Sequence, residues 1–148
     1  MNHKIFIEAC ELLKASGSSY EDLISPFWSD VQDGVVLPTI GKVIPRLAPE
    51  RSECSWDEAM ADAAAAGLTL PSREELQYIY KYRNHINALL VAHGGNRLPR
   101  NKCFWSCTEG SQRTAWLVEF GSGYTYGSVK YNDLYVRPLA EFKNVNIF

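Results

Sequence analysis

Four side chains of types that bind zinc fall within one short stretch of this sequence: His85, His93, Cys103 and Cys107. Zinc needs thiolates about 2.3 Å from the ion, which brings two ligating sulfurs within about 4 Å of each other. The run Cys103–Cys107 has the composition of a strand, and four residues at about 3.3 Å each separate its two thiols by about 13 Å. The same separation forbids a disulfide between them. A bulge is the one device that would bring them together. The better account is a pair of reduced thiols packed on the face of Trp105, and no metal or cofactor is expected. With Cys10 and Cys54 the chain has four cysteines, too few and too scattered for a disulfide framework in a chain long enough to build a core.

Other nucleophilic and phosphate-binding patterns fail on spacing. Gly121-Ser122-Gly123 lacks the Gly-x-Ser-x-Gly spacing and sits between strands, so it reads as a hairpin turn. Gly94-Gly95 is followed by Asn96-Arg97 and not by the Lys-Ser or Lys-Thr that a phosphate loop requires. The acid pairs Asp57-Glu58 and Glu74-Glu75 each fall in a first helical turn, where capping and the helix dipole account for them. Arg97, Arg100 and Lys102, with Arg113, have the makings of a basic rim for an anionic group. A solvated loop balanced by nearby acids is the commoner fate of such residues.

The unusual feature is the last hairpin. Four of the eight tyrosines, Tyr124, Tyr126, Tyr131 and Tyr135, fall in one short segment, interleaved with Ser128, Lys130, Asn132 and Asp133. Tyrosine among small polar residues is the composition of binding loops, because it offers large contact area at low entropy cost. Strands also favour tyrosine for packing alone. Alternation puts Tyr124, Tyr126, Ser128 and Lys130 on one polar face, which points to a partner rather than to a core.

Fifteen Lys+Arg against seventeen Asp+Glu leave a net charge of −2, without the basic surplus that nucleic acid or an anionic membrane surface demands. No stretch approaches the roughly 20 apolar residues of a membrane span. Glu8 and Glu11 interrupt the apolar run near Met1 before a signal-peptide core forms, so the expected location is the cytoplasm or a phage virion.

The elements that must position these residues are readable from their boundaries. Phe6, Ile7, Cys10 and Leu13 recur at helical spacing over His3 to Ala15, and Ser19 caps a short second helix ended near Pro26. Val35-Val36-Leu37 and Lys42-Val43-Ile44 read as a small edge hairpin. Ser55 with Glu58, and Ser72 with Glu75, form two capping boxes that open helices, the first closed by Gly67 in the left-handed conformation. The apolar stripe of Leu76 and Ile79 shifts phase after Tyr82, which predicts a break with Asn84 as the new cap. Beyond Pro99 the period becomes two: Trp116, Val118 and Phe120 alternate toward a core shared with Trp105, and Leu134 to Arg137 makes a last strand closed by Pro138. Helices followed by antiparallel strands predict an α+β chain, divided into an N-terminal helical extension, 1–32, and a main domain, 33–148.

An ordered set of motifs carries a family resemblance: Trp56-Asp57-Glu58-Ala59, Gly67-Leu68-Thr69-Leu70-Pro71-Ser72-Arg73-Glu74-Glu75-Leu76, Ile86-Asn87, Gly94-Gly95, Phe104-Trp105-Ser106-Cys107-Thr108-Glu109, Ala115-Trp116 and Val136-Arg137-Pro138. Over Asp33 to Pro138 it resembles the bacterial C-type-lectin-like domains of the collagen-like adhesin C-terminal family, and it is similar to the variable proteins of diversity-generating retroelements. The resemblance implies two main helices packed on small antiparallel sheets, with a ligand face near the C-terminal hairpin. It places the binding residues at Ser111, Gln112 and Arg113 and along Tyr124, Tyr126, Ser128, Lys130, Asn132 and Asp133. It makes Trp105, Ser106, Thr108, Glu109, Trp116 and Arg137 scaffold, with Glu109 and Arg137 held in internal hydrogen bonds.

Two departures shape the expected chemistry. Calcium-dependent lectins of this fold use Glu-Pro-Asn or Gln-Pro-Asp with Trp-Asn-Asp, and this chain has neither motif. Tyr131-Asn132-Asp133 imitates the last triplet, but two oxygen side chains do not fill the 6 to 8 positions calcium prefers. The related formylglycine-generating enzymes use a reactive cysteine pair whose spacing Cys103 and Cys107 do not match. The expected function is therefore a non-enzymatic binding module for a protein or carbohydrate ligand. The alternatives are a thiol enzyme of the formylglycine-generating type, or a structural subunit of a phage or cell-surface assembly whose N-terminal helices oligomerise.

Overall fold

In the computed structural model, residues 25–143 are described; the two helices expected before Pro26 lie outside them. The described chain is mixed α+β, with three helices and two small sheets. Strands β1 (Phe27–Ser29), β2 (Gly34–Leu37) and β3 (Lys42–Pro45) are followed by β4 (Glu53–Cys54). Helices α1 (Trp56–Ala65), α2 (Arg73–Lys81) and α3 (Arg83–Ala92) come next. Strands β5 (Cys103–Glu109), β6 (Thr114–Glu119), β7 (Thr125–Val129), β8 (Leu134–Tyr135) and β9 (Ala140–Glu141) complete it.

Both capping boxes form as expected. Ser55 accepts from the Glu58 amide and Ser72 from the Glu75 amide, while each glutamate accepts from its serine's N–H. Each box satisfies backbone donors that a helix start leaves without partners. After α1, Gly67 takes φ +72°, the left-handed conformation that a Cβ disfavours. The break between α2 and α3 falls at Tyr82, which caps α3 without a side-chain hydrogen bond. Asn84, the expected cap, lies inside α3.

The first sheet has the order β1-β2-β3-β9. The hairpin of β2 and β3 is thus central and not an edge, which explains why Val35, Val36, Leu37, Val43 and Ile44 are all buried. Its first strand, Phe27–Ser29, comes before the boundary expected at 32/33 and pairs with β2. The second sheet has the order β4-β8-β5-β6-β7. It is antiparallel except at β5 and β8, which run parallel through Phe104 and Tyr135. The expected last strand stops at Tyr135, and the chain continues past Pro138 to β9, which pairs with β3 in the other sheet.

Strands β5 and β6 are buried on both faces. Phe104 pairs with Val118, and with Phe120 they join the core cluster of Leu76, Ile79, Ile86 and Leu90 from α2 and α3. On the opposite face Trp105 pairs with Leu117 and joins Ala115, Trp56, Ala59 and Ala63, where α1 packs. Trp105 is fully buried and its indole N–H donates to the Cys54 carbonyl at 3.0 Å. Trp56 likewise donates to the Ser106 carbonyl at 2.8 Å, so neither buried indole leaves its polar atom without a partner. Asn87, also buried, exchanges two hydrogen bonds with the backbone of Leu98 and ties α3 to the approach of β5.

Trp116 keeps the expected strand phase but not the expected burial. It shares a face with Val118 and Phe120 but is only half-buried, with the Arg73 guanidinium 4.7 Å from its ring centroid. The core ends one residue pair earlier than alternation alone implies because the β5–β6 register shifts between Trp105 and Glu109. A bulge of this kind re-aims the side chains beyond it.

Candidate functional site

Strand β7 is an edge of the second sheet, and its register on β6 decides what each tyrosine meets. Tyr126 lies opposite Leu117 and Ser128 opposite Ala115. The face that carries them is therefore opposite the face of Val118 and Phe120, as alternation predicts. That face is not all solvent, because Leu117 and Ala115 on it belong to the second core.

The expected binding residues fall into two groups at opposite ends of β7. Tyr124 precedes the strand and Lys130 follows it, six residues on, a separation of about 20 Å at strand rise. At the first end Tyr124 is 72% exposed. Tyr126 is 42% exposed, but its hydroxyl is committed: it donates to Glu119 at 2.9 Å and lies 3.6 Å from the Cys103 sulfur. The contact with Cys103 and the bond to the Glu119 carboxylate push the Tyr126 pKa well above the ordinary phenol value. The hairpin turn here is tight. Gly123 has φ +82°, and a Cβ on it would press into the ring of Tyr80.

At the other end the two predicted loops meet. The Lys130 amide donates to the Arg113 carbonyl at 2.9 Å, and the Trp56 amide to the Lys130 carbonyl at 2.9 Å. These bonds place the N-terminus of α1 beside both loops and leave a groove of about 520 Å³. Gln112, Arg113, Lys130 and Tyr131 line it on the strand side, with Ser55 and Asp57 on the helix side. Tyr131 is 80% exposed. Lys130 is not available as a free cation. Its ammonium donates to Glu109 at 2.8 Å and to the Gln112 carbonyl at 3.0 Å, and it lies 4.3 Å from the Trp56 ring centroid. Ser111 and Ser128 are also engaged: the first shares a 2.8 Å hydrogen bond with Thr114, and the second accepts from Asn132. Asp133 is exposed.

Of the expected residues Ser111, Gln112, Arg113, Lys130, Asn132 and Asp133, the groove is lined by Gln112, Arg113 and Lys130, while Ser111, Asn132 and Asp133 are not among its lining residues. Sequence reasoning missed Tyr131, Ser55 and Asp57 as groove-lining residues. Tyr131 belonged to the tyrosine cluster already noticed. Nothing in spacing connects residue 55 to residue 130.

The cysteines and histidines are dispersed. His93 stacks on Trp28 with centroids 4.0 Å apart, and a ring nitrogen of His85 donates to the Pro26 carbonyl at 2.6 Å. Cys103 and Cys107 are half-buried and free, and Cys54 is buried and free. Burial raises the pKa of both Cys54 and Cys107, which holds them in the unreactive thiol form. Among the described residues no three His, Cys, Asp or Glu side chains converge as a metal site requires. No helix among them is long and apolar enough to cross a membrane.

The residues expected as scaffold are held internally. Ser106 donates to the Trp116 carbonyl at 2.6 Å, Thr108 accepts from the Arg73 amide at 3.0 Å, and Glu109 holds Lys130. Arg137 is buried and donates to the carbonyls of Asn96, Pro45 and Arg46. Compared with known protein families and with curated proteins, the chain matches none.

Proposed function

We propose that this chain is a non-enzymatic binding module of C-type-lectin-like architecture, and that its protein or carbohydrate ligand seats on the groove between α1 and the loops flanking β7. The observation that carries the proposal is Tyr131, a large ring 80% exposed beside a groove lined by Gln112 and Arg113. Tyrosine and arginine dominate the energetics of binding surfaces because they give area and directed hydrogen bonds together. The elevated thiol pKa values of Cys54 and Cys107 support a role without covalent chemistry.

The test uses the full chain as a probe on a glycan array and on a displayed-peptide library, in parallel with Tyr131→Ser and Arg113→Ala. Ligands selected by the parent should bind each variant at least tenfold more weakly, with circular dichroism unchanged. They should also bind equally well with a calcium chelator present. Selected ligands insensitive to both substitutions would refute this site, and loss of binding on chelation would refute the calcium-independent reading.

A further inference from the structure

A second pocket, sharing no lining residue with the groove, contains Arg137, the one buried cation among the described residues that has no counter-charge. Arg137 is 4% exposed. Its guanidinium spends both terminal nitrogens on carbonyl oxygens, at 2.7 Å to Asn96, 2.8 Å to Pro45 and 3.2 Å to Arg46. The remaining nitrogen, Nε, is buried and has no hydrogen-bond partner among the described residues. Burial alone pulls the Arg137 pKa down to about 10, with no neighbouring carboxylate to offset it. A desolvated cation compensated only by carbonyl dipoles is expensive to keep.

Arg137 lines a pocket of about 310 Å³, near the lower end of the range for small-molecule sites. Arg97 lines it too, and among the described residues that form its walls there is no carboxylate. Phe104 and Tyr135 give it apolar surface, while Ser52 and Asn96 add neutral polar groups. Lys102 sits 5.7 Å from the Tyr135 ring centroid and extends the positive side. Of the basic residues noted in the sequence, Arg97 lines this pocket and Arg113 the groove, while Arg100 and Lys102 line neither.

We propose that this pocket binds a small organic carboxylate with an apolar body, its oxygens facing Arg137 and Arg97 and its body against Phe104 and Tyr135. A carboxylate supplies the acceptor that Nε lacks and the negative charge that the pocket lacks. The limited volume and the apolar walls favour a compact, ring-sized body over a phosphate, whose several oxygens would each need a donor.

Benzoate is the probe, and the observable is the Arg137 Nε–H resonance in the ¹⁵N spectrum of the full chain, assigned through its own side-chain correlations. Benzoate should move that resonance saturably. Benzamide, equal in shape but neutral, and inorganic phosphate, anionic but without an apolar body, should leave it in place. Arg97→Gln, at an exposed position, should weaken benzoate about tenfold, the loss of one charge-assisted bond. No movement with benzoate, or equal movement with benzamide or phosphate, would overturn the proposal. Because the readout is an atom of this pocket, its failure is independent of the groove.

Discussion

Lys130 offers the sharpest test of how the groove is held open. Its side chain is 15% exposed, and its ammonium joins three groups from different parts of the chain: the Glu109 carboxylate, the Gln112 carbonyl and the Trp56 ring. Glu109 is 56% exposed, so solvent screens the ion pair and limits it to about 0.2–1 kcal/mol. The cation–π contact, with the ammonium largely desolvated, contributes about 1 kcal/mol. Lys130→Met keeps most of the apolar stem and removes only the charge, so it should cost about 1–2 kcal/mol in urea denaturation. Lys130→Ala also uncovers the Trp56 ring and should cost about 2 kcal/mol more, at about 0.8 kcal/mol for each of the buried apolar groups lost beyond Cβ. A double-mutant cycle with Glu109→Gln separates the contributions, and its coupling energy should stay below about 1 kcal/mol. A cost under about 0.5 kcal/mol for Lys130→Met would show that neither contact stabilises the fold, and a coupling of about 2 kcal/mol or more would show that the ion pair governs; either result would refute this division.

The remaining expectations concern the core, the turn and pH. Trp105→Ala should destabilise the protein by about 3–5 kcal/mol, whereas Trp116→Ala, at a half-buried position under Arg73, should cost no more than about half as much; equal costs by guanidinium denaturation would show Trp116 to be a core residue after all. Gly123→Ala combines φ +82° with a clash against Tyr80 and should cost at least about 1 kcal/mol, visible as a lowered melting temperature. Tyr126 has its pKa raised in the folded state, so its contribution to stability is fully present below the unfolded phenol value, about 10, and is lost as pH rises beyond it. Tyr126→Phe should flatten that alkaline decline in chemical denaturation measured at stepped pH, and an unchanged slope would contradict the assignment.

Features written in neighbouring residues were legible from the sequence, and features written between distant strands were not. Ser55 with Glu58 and Ser72 with Glu75 interact across one helical turn, so spacing alone places them. The two-sided burial of β5 and β6 is visible only once α1 and α2 are known to cover opposite faces. Trp116 misled because the bulge before Glu109 and the guanidinium of Arg73 both come from elsewhere in the chain. For Tyr126 the period-two argument found the correct face, yet the hydroxyl's partners, Glu119 and Cys103, depend on the register of three strands. The loops at 111–113 and 130–133 were recognised by composition, but the helix N-terminus that completes their groove is joined to them by a single backbone bond from Trp56 to Lys130. Composition carries no record of such a bond.

That bond, and the one from Lys130 to Arg113, have a consequence for how this surface can change. The frame of the groove is stitched with amide and carbonyl atoms, which are the same in every residue except proline, which lacks the N–H. Side chains at 112, 113 and 131 are therefore free to be exchanged with little structural cost, since none of them supplies the stitching, whereas Asn132 holds Ser128 through its side chain. Position 130 is likewise constrained, because its ammonium spans Glu109 and Trp56. A saturation library across this rim should show near-uniform acceptance at 112, 113 and 131, exclusion of proline at 56 and 130, and a preference for lysine or arginine at 130. At 112, 113 and 131, side-chain identity is separable from the integrity of the frame, because hydrogen bonds between backbone atoms join Arg113, Lys130 and Trp56.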